Sequence, residues 1–117
     1  MKRVTIKCAT ALLGSVMCSN VFATTGNELY KVCANFAVMS GYVPCSQNVV
    51  DSALCGGYVR GVLDATRDTL NICPSDDITA SQVNLVVKKY LSEHPERLHL
   101  RGDMLIHEAL NKAFPCK

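Results

Sequence analysis

Past an apolar stretch at its N-terminus, the sequence has no run approaching the roughly 20 apolar residues that cross a membrane. No two cysteines stand two residues apart, so the spacing used by thiol oxidoreductases, metal knuckles and covalent haem attachment is missing. The glycine-rich segment Cys55-Gly56-Gly57-Tyr58-Val59-Arg60-Gly61 falls inside a helical pattern and follows no strand. It therefore reads as helix-packing glycines, not as a phosphate loop. His94, His99 and His107 do not share one helical face, and they read as surface or connector residues, not metal ligands. Asp64 and Asp68 lie one turn apart with Arg60 and Arg67 beside them, but no nucleophile or base accompanies them. Cys45 has no histidine near it in sequence. Arg101-Gly102-Asp103 reads as a helix start with an acidic first turn. There is no internal repeat or low-complexity tract. The expectation is a protein that is not an enzyme, holds no metal or cofactor, and acts by binding.

What is there begins with Met1, Lys2, Arg3 and Lys7, then the apolar stretch Cys8 to Phe22 ending Val21-Phe22-Ala23. This predicts a Sec-type signal peptide over residues 1–23, removed on export, and one mature domain over residues 24–117. Lipid attachment at Cys18 is disfavoured by the bulky Met17 before it. Three of the twelve basic residues leave with the signal, so nine face ten acidic ones and the mature charge is near −1. That removes the main support for nucleic-acid or anionic-membrane binding. A domain this small gains from covalent staples.

The mature part reads as helices throughout. Thr25-Gly26-Asn27-Glu28 fits a capping box, followed by Leu29, Val32, Cys33, Phe36 and Ala37 at helical spacing up to Gly41. After a turn through Tyr42 to Ser46, a long pattern follows: Val49, Val50, Ala53, Leu54, Gly57, Tyr58, Gly61, Val62 and Ala65. It predicts a helix with that face buried, its glycines admitting a neighbouring helix, and an end at Asn71 to Pro74. Thr79-Ala80-Ser81-Gln82 is a second capping box, ahead of Val83, Val86, Val87, Tyr90 and Leu91, with His94-Pro95 as the stop. A connector from Glu96 to Arg101 carries Leu98 and Leu100. The last helix is predicted over Gly102 to Ala113, with Leu105, Ala109, Leu110 and Ala113 facing in. The fold class expected is all-α, a small disulfide-stapled bundle of about four helices.

Five cysteines stay with the mature chain: Cys33, Cys45, Cys55, Cys73 and Cys116. An exported protein meets an oxidising compartment, where pairing is the rule. One arrangement joins Cys33 to Cys55 across a helical hairpin and Cys73 to Cys116 at two helix ends. A competing one joins Cys33 to Cys116 and Cys55 to Cys73. The first is the expectation, and it leaves Cys45 unpaired or bonded to a second chain.

Gly26-Asn27-Glu28-Leu29 with Cys33, the Cys55 to Gly61 segment with Asp64-Ala65, Cys73-Pro74, Gln82, and "VVKKYLSEHPERLH" leading to "ALNKAFPC" together resemble the Rap/Tai family of type VI secretion immunity proteins. The resemblance spans nearly the whole mature chain. It implies a small periplasmic protein, dimeric and disulfide-bonded, that protects the producing cell from a peptidoglycan amidase of the papain-like cysteine peptidase type. Such protection needs a preorganised protrusion that occludes the amidase cleft without offering a cleavable bond. The Asn71 to Ile78 turn and the Glu93 to Arg101 connector are the candidates. Pro95 stiffens the second, and Glu93, His94, Pro95, Glu96, Arg97 and His99 form the candidate toxin-contact loop. The plain alternative is that His94-Pro95-Glu96 only ends a helix and turns Leu98 inward. A different functional class, a periplasmic housekeeping or stress-response chaperone, would need clustered acids and a labile core, which two staples and nearly balanced charge argue against.

Overall fold

The computed structural model describes residues 24–36, 46–67 and 71–117. The proposed signal segment, the Tyr42 to Cys45 part of the expected turn, and Asp68 lie outside them.

Both capping boxes form. The Thr25 side-chain oxygen accepts from the Glu28 amide at 3.4 Å while the Glu28 carboxylate accepts from the Thr25 amide at 2.8 Å, opening α1 (Gly26–Ala34). Thr79 and Gln82 repeat the arrangement at 3.2 and 2.8 Å, opening α3 (Ala80–Glu93). Each box satisfies two amides that a helix start would leave without partners. Between them runs α2 (Gln47–Thr66), and α4 (Gly102–Ala113) closes the chain, with a single 3₁₀ turn at Pro95–Arg97 before it. Every helix touches the other three. The result is an all-α bundle with two disulfides.

The first helix is shorter than its apolar pattern predicts. It stops at Ala34, and its exit carbonyls are claimed by other elements. The Ser52 hydroxyl donates to the Asn35 carbonyl at 3.0 Å, and the Lys88 ammonium to that of Phe36 at 3.1 Å. Long-range donors here replace the next helical turn. Gly41, the predicted stop, lies outside the described residues.

The face of α2 is the larger correction. Ser52, Cys55, Val59 and Leu63 are buried, whereas Val50, Ala53, Leu54, Gly57, Gly61 and Ala65 are exposed. Two apolar stripes run along this helix, and the bond from Cys33 to Cys55 selects one, because both cysteines are fully buried and α2 must turn Cys55 toward α1. Among the described residues the expected helix approach at Gly57 and Gly61 is not seen: none of them stands within 4 Å of where a Cβ would sit at either. The helix also ends early, at Thr66, where Arg67 turns extended. In α4 the buried set is Leu105, Ile106, Ala109 and Leu110, while Ala113, expected inside, is exposed in the last turn.

The second disulfide joins Cys73 to Cys116. Beside it, Ile72 and Pro115 form an isolated β-bridge, and the Cys73 amide donates to the Phe114 carbonyl at 2.9 Å. Asn71, at φ 59°, takes the left-handed conformation that asparagine tolerates better than most residues. The two bonds close 22 and 43 residues of chain. On the chain-entropy model each contributes roughly 3 to 4 kcal/mol.

Glycine at position 26 is enforced by contact. A Cβ there would lie 2.8 Å from the Leu98 carbonyl oxygen and would also strike the Leu105 side chain. Gly26→Ala is therefore expected to cost about 1 to 3 kcal/mol, whereas Gly61→Ala, in an open helix interior, should gain up to about 1 kcal/mol. Chemical denaturation of both variants checks the pair: equal effects, or effects of the same sign, would contradict the placement of these two glycines.

Candidate functional site

The connector between α3 and α4 is held from both sides. The amides of Gly26 and Asn27, which the start of α1 leaves without helical partners, donate to the carbonyls of Leu100 and Leu98 at 2.8 and 2.7 Å. The Gly102 amide returns a bond to the Thr24 carbonyl at 2.7 Å, and Thr25 bridges Arg101 in antiparallel fashion. Leu98 is buried under this seam. The inward-packing reading of Leu98 is thus realised, and the connector ahead of it still stands at the surface.

On the other side, three side chains clamp the 3₁₀ turn. The Arg97 guanidinium meets both oxygens of Glu108, at 2.5 and 2.8 Å, and also donates to the Tyr90 hydroxyl at 3.1 Å. That hydroxyl donates to Glu108 at 2.8 Å. His94 stacks on the Tyr90 ring, with centroids 4.1 Å apart, and its Nδ1 lies 2.8 Å from the Tyr90 carbonyl. Burial pushes the Glu108 carboxyl up, but the hydrogen bonds from Arg97 and Tyr90 and the guanidinium charge outweigh it and hold the group below its usual value. The Tyr90 phenol moves up, first through burial and then through the neighbouring carboxylate. At the entry to α4, Arg101 grips Asp103 at 2.6 and 3.1 Å and keeps that carboxyl low despite partial burial.

The six candidate contact residues differ in their surroundings. Arg97 and His94 are half-buried and turned back onto Tyr90 and Glu108, where they brace the loop. Glu93, Pro95, Glu96 and His99 are exposed, with Glu93 3.8 Å from Lys89 along the helix. Tyr90 and Glu108 were not among the expected site residues. The available signal was that a tyrosine on a core stripe needs a partner for its hydroxyl. The other candidate protrusion, Asn71 to Ile78, is pinned by the Cys73–Cys116 bond and borders a groove of about 150 Å³ against α2 and α3, edged by Arg60, Arg67, Ser75, Asp76 and Asn84. Its ion pair from Arg67 to Asp76, at 3.4 Å with the aspartate fully exposed, adds little rigidity.

Among the described residues no three histidine, cysteine or acidic side chains are placed to hold a metal ion, and no helix is long and apolar enough to cross a membrane. The arrangement can present a fixed surface.

A family model described as Rap1a immunity proteins matches residues 25–116, which takes in all four helices and both disulfides. No curated protein matches the chain.

Glu108→Gln tests the clamp. At about pH 7 it should cost roughly 1 kcal/mol, the upper end for a partly exposed pair, here bidentate and joined by Tyr90. Because the folded carboxyl is held below its ordinary value of 4.5, its contribution is complete above that value and fades as pH falls through the lower folded one. The gap between the variant and the parent should therefore close in acid. Urea unfolding at about pH 7 and about pH 3 reads this out, and a gap unchanged between the two would contradict the charged clamp.

Proposed function

This chain belongs to the Rap1a immunity protein family, and from that premise we propose that it is a periplasmic homodimer that neutralises a type VI secretion effector, a peptidoglycan amidase of the papain-like class, by covering its catalytic cleft. The family match over the whole described bundle carries the reading. Immunity proteins of this kind inhibit and do not catalyse, which agrees with a surface built for contact. Export by cleavage after Ala23 would release residues 24–117 into an oxidising compartment, where two intramolecular disulfides persist.

The physical support for occlusion lies in the connector. Pro95, Glu96 and His99 project from a segment whose backbone is bonded to the start of α1 and whose Arg97 is clamped to Glu108 of α4. A loop fixed before binding loses little conformational entropy on binding, so more of the contact energy appears as affinity. A 3₁₀ turn beginning with proline is also a poor extended substrate, because a peptidase must draw the chain out to cut it. In this reading Glu96 and His99 supply the polar contacts, while Glu93 borders them.

The test is co-expression of this protein with a papain-like amidase in the periplasm, followed by titration of purified amidase activity. Protection and stoichiometric inhibition are expected. Glu96→Arg combined with His99→Asp should weaken inhibition at least about tenfold, or 1.4 kcal/mol, without moving the unfolding midpoint. Inhibition by the double variant equal to the parent would remove the loop from the contact, and continued lysis despite stable co-expression would sink the pairing with that amidase.

A further inference from the structure

Two polar side chains are buried among the described residues, Ser52 and Asn84. Ser52 donates its hydroxyl to the Asn35 carbonyl. Asn84, on α3 and only 6% exposed, has no hydrogen bond from its carboxamide to any described residue. An amide taken out of water without a partner is unfavourable. Among the described residues no buried side-chain nitrogen or oxygen is both sealed from solvent and unpartnered. The carboxamide therefore opens onto space, and the space it lines is the groove of about 150 Å³ between α2, α3 and the turn ahead of α3. Glycine at position 56 keeps it open from the α2 side, since a Cβ there would stand 3.3 Å from the Asn84 Nδ2.

The rest of the groove has a definite chemistry. Its walls are apolar, from Val59 and Leu63 of α2, Val83 of α3 and Ile78 before it. Its rim alternates in sign: Arg60, Asp64 and Arg67 follow one another along α2 and its end, and Asp76 meets Arg67 across the mouth. Both ion pairs of the rim are 3.4 Å long and exposed, so exchanging a partner for another charge costs little. The volume corresponds to roughly five water molecules of liquid, room for a residue or two and not for a folded element.

We propose that this groove binds a short zwitterionic peptide of small residues, with the N–H and C=O of one residue paired to the Asn84 carboxamide and the two charged ends at the rim. An extended residue presents its N–H and C=O on one edge, and a carboxamide carries the matching acceptor and donor side by side. A rim of two cations and two anions favours neither net charge and matches a ligand that carries both signs. The carboxylate belongs on Arg67, whose guanidinium can take both oxygens and whose present partner, Asp76, is fully exposed. The ammonium belongs on Asp64, three residues earlier and so about 5 to 6 Å away between Cβ atoms, close to the roughly 7 Å that two extended residues span. The apolar walls leave the side chains room for methyl groups. The groove shares no residue with the Pro95 to His99 connector, so this reading and that of amidase occlusion stand independently.

The test titrates the full mature chain, residues 24–117, with alanyl-alanine and follows chemical shifts. Saturable binding with a dissociation constant of about 1 mM or tighter is expected, with the Asn84 side-chain amide among the signals that move most. Blocking both ends of the probe, as N-acetyl-alanyl-alanine amide, should weaken binding at least about tenfold. Asn84→Leu, similar in size, should weaken it as much and leave the unfolding midpoint unchanged or higher, because no described group loses a hydrogen bond. Arg67→Ala, at the surface, gives the same reading should the first variant fail to fold. No saturable shift up to about 10 mM, ten times the expected constant, would overturn the proposal. So would shifts centred on the connector and not on Asn84, a blocked peptide that binds as well as the zwitterion, or folded variants that bind as well as the parent.

Discussion

The bond between Cys33 and Cys55 fixes the rotation of α2, and most of the structure follows from that rotation. Both cysteines are fully buried, at the contact of α1 and α2. With Cys55 turned inward, Val59 and Leu63 fall in the core one and two turns later, and Ser52 one turn earlier reaches the Asn35 carbonyl that ends α1. A half-buried polar seam thus becomes the exit of the first helix. The same rotation sends Val50, Leu54, Gly57 and Gly61 to the outside. On hydrophobicity alone the two faces of α2 are near equivalents; the covalent link breaks the tie.

The second organising contact lies between the start of α1 and the connector before α4. Helix starts carry amides without intrahelical partners. Here the Thr25 and Glu28 amides are each satisfied by the other's side chain, while the Gly26 and Asn27 amides are bonded to the Leu100 and Leu98 carbonyls. Helices far apart in sequence are thereby locked end to side, and the close approach demands glycine at position 26. The Arg97, Tyr90 and Glu108 cluster then restrains the turn from the opposite flank. Rigidity at Pro95 and Glu96 comes from these two supports, since neither residue is itself buried.

What the sequence makes legible divides along the range of the interactions. The two capping boxes, the stop at His94-Pro95 and the bounds of α4 depend on residues within a few positions of one another, and they stand where local patterns place them. The length of α1 and the inward face of α2 were misread, because both are decided by partners from elsewhere: Ser52 and Lys88 for the first, Cys33 for the second. The clamp escaped for the same reason. Tyr90 and Glu108 are 18 residues apart, and nothing local to either names the other. Arg97 and His94 stand in the connector, and their side chains turn back onto Tyr90 and Glu108, a direction that pattern reading cannot give.

The buried disulfide prevents α2 from rolling its outer stripe inward without unpacking Val59 and Leu63. Loss of bulk at Gly57 and Gly61 then makes sense as shape and not as flexibility, since α2 is pinned by a covalent bond and by contacts to all three other helices. A rigid surface is worth more to a partner than a mobile one, because less conformational entropy is lost on binding. Two surfaces among the described residues, one apolar along α2 and one polar at Pro95 to His99, differ in chemistry but share that property. Each is held in its shape before anything binds to it.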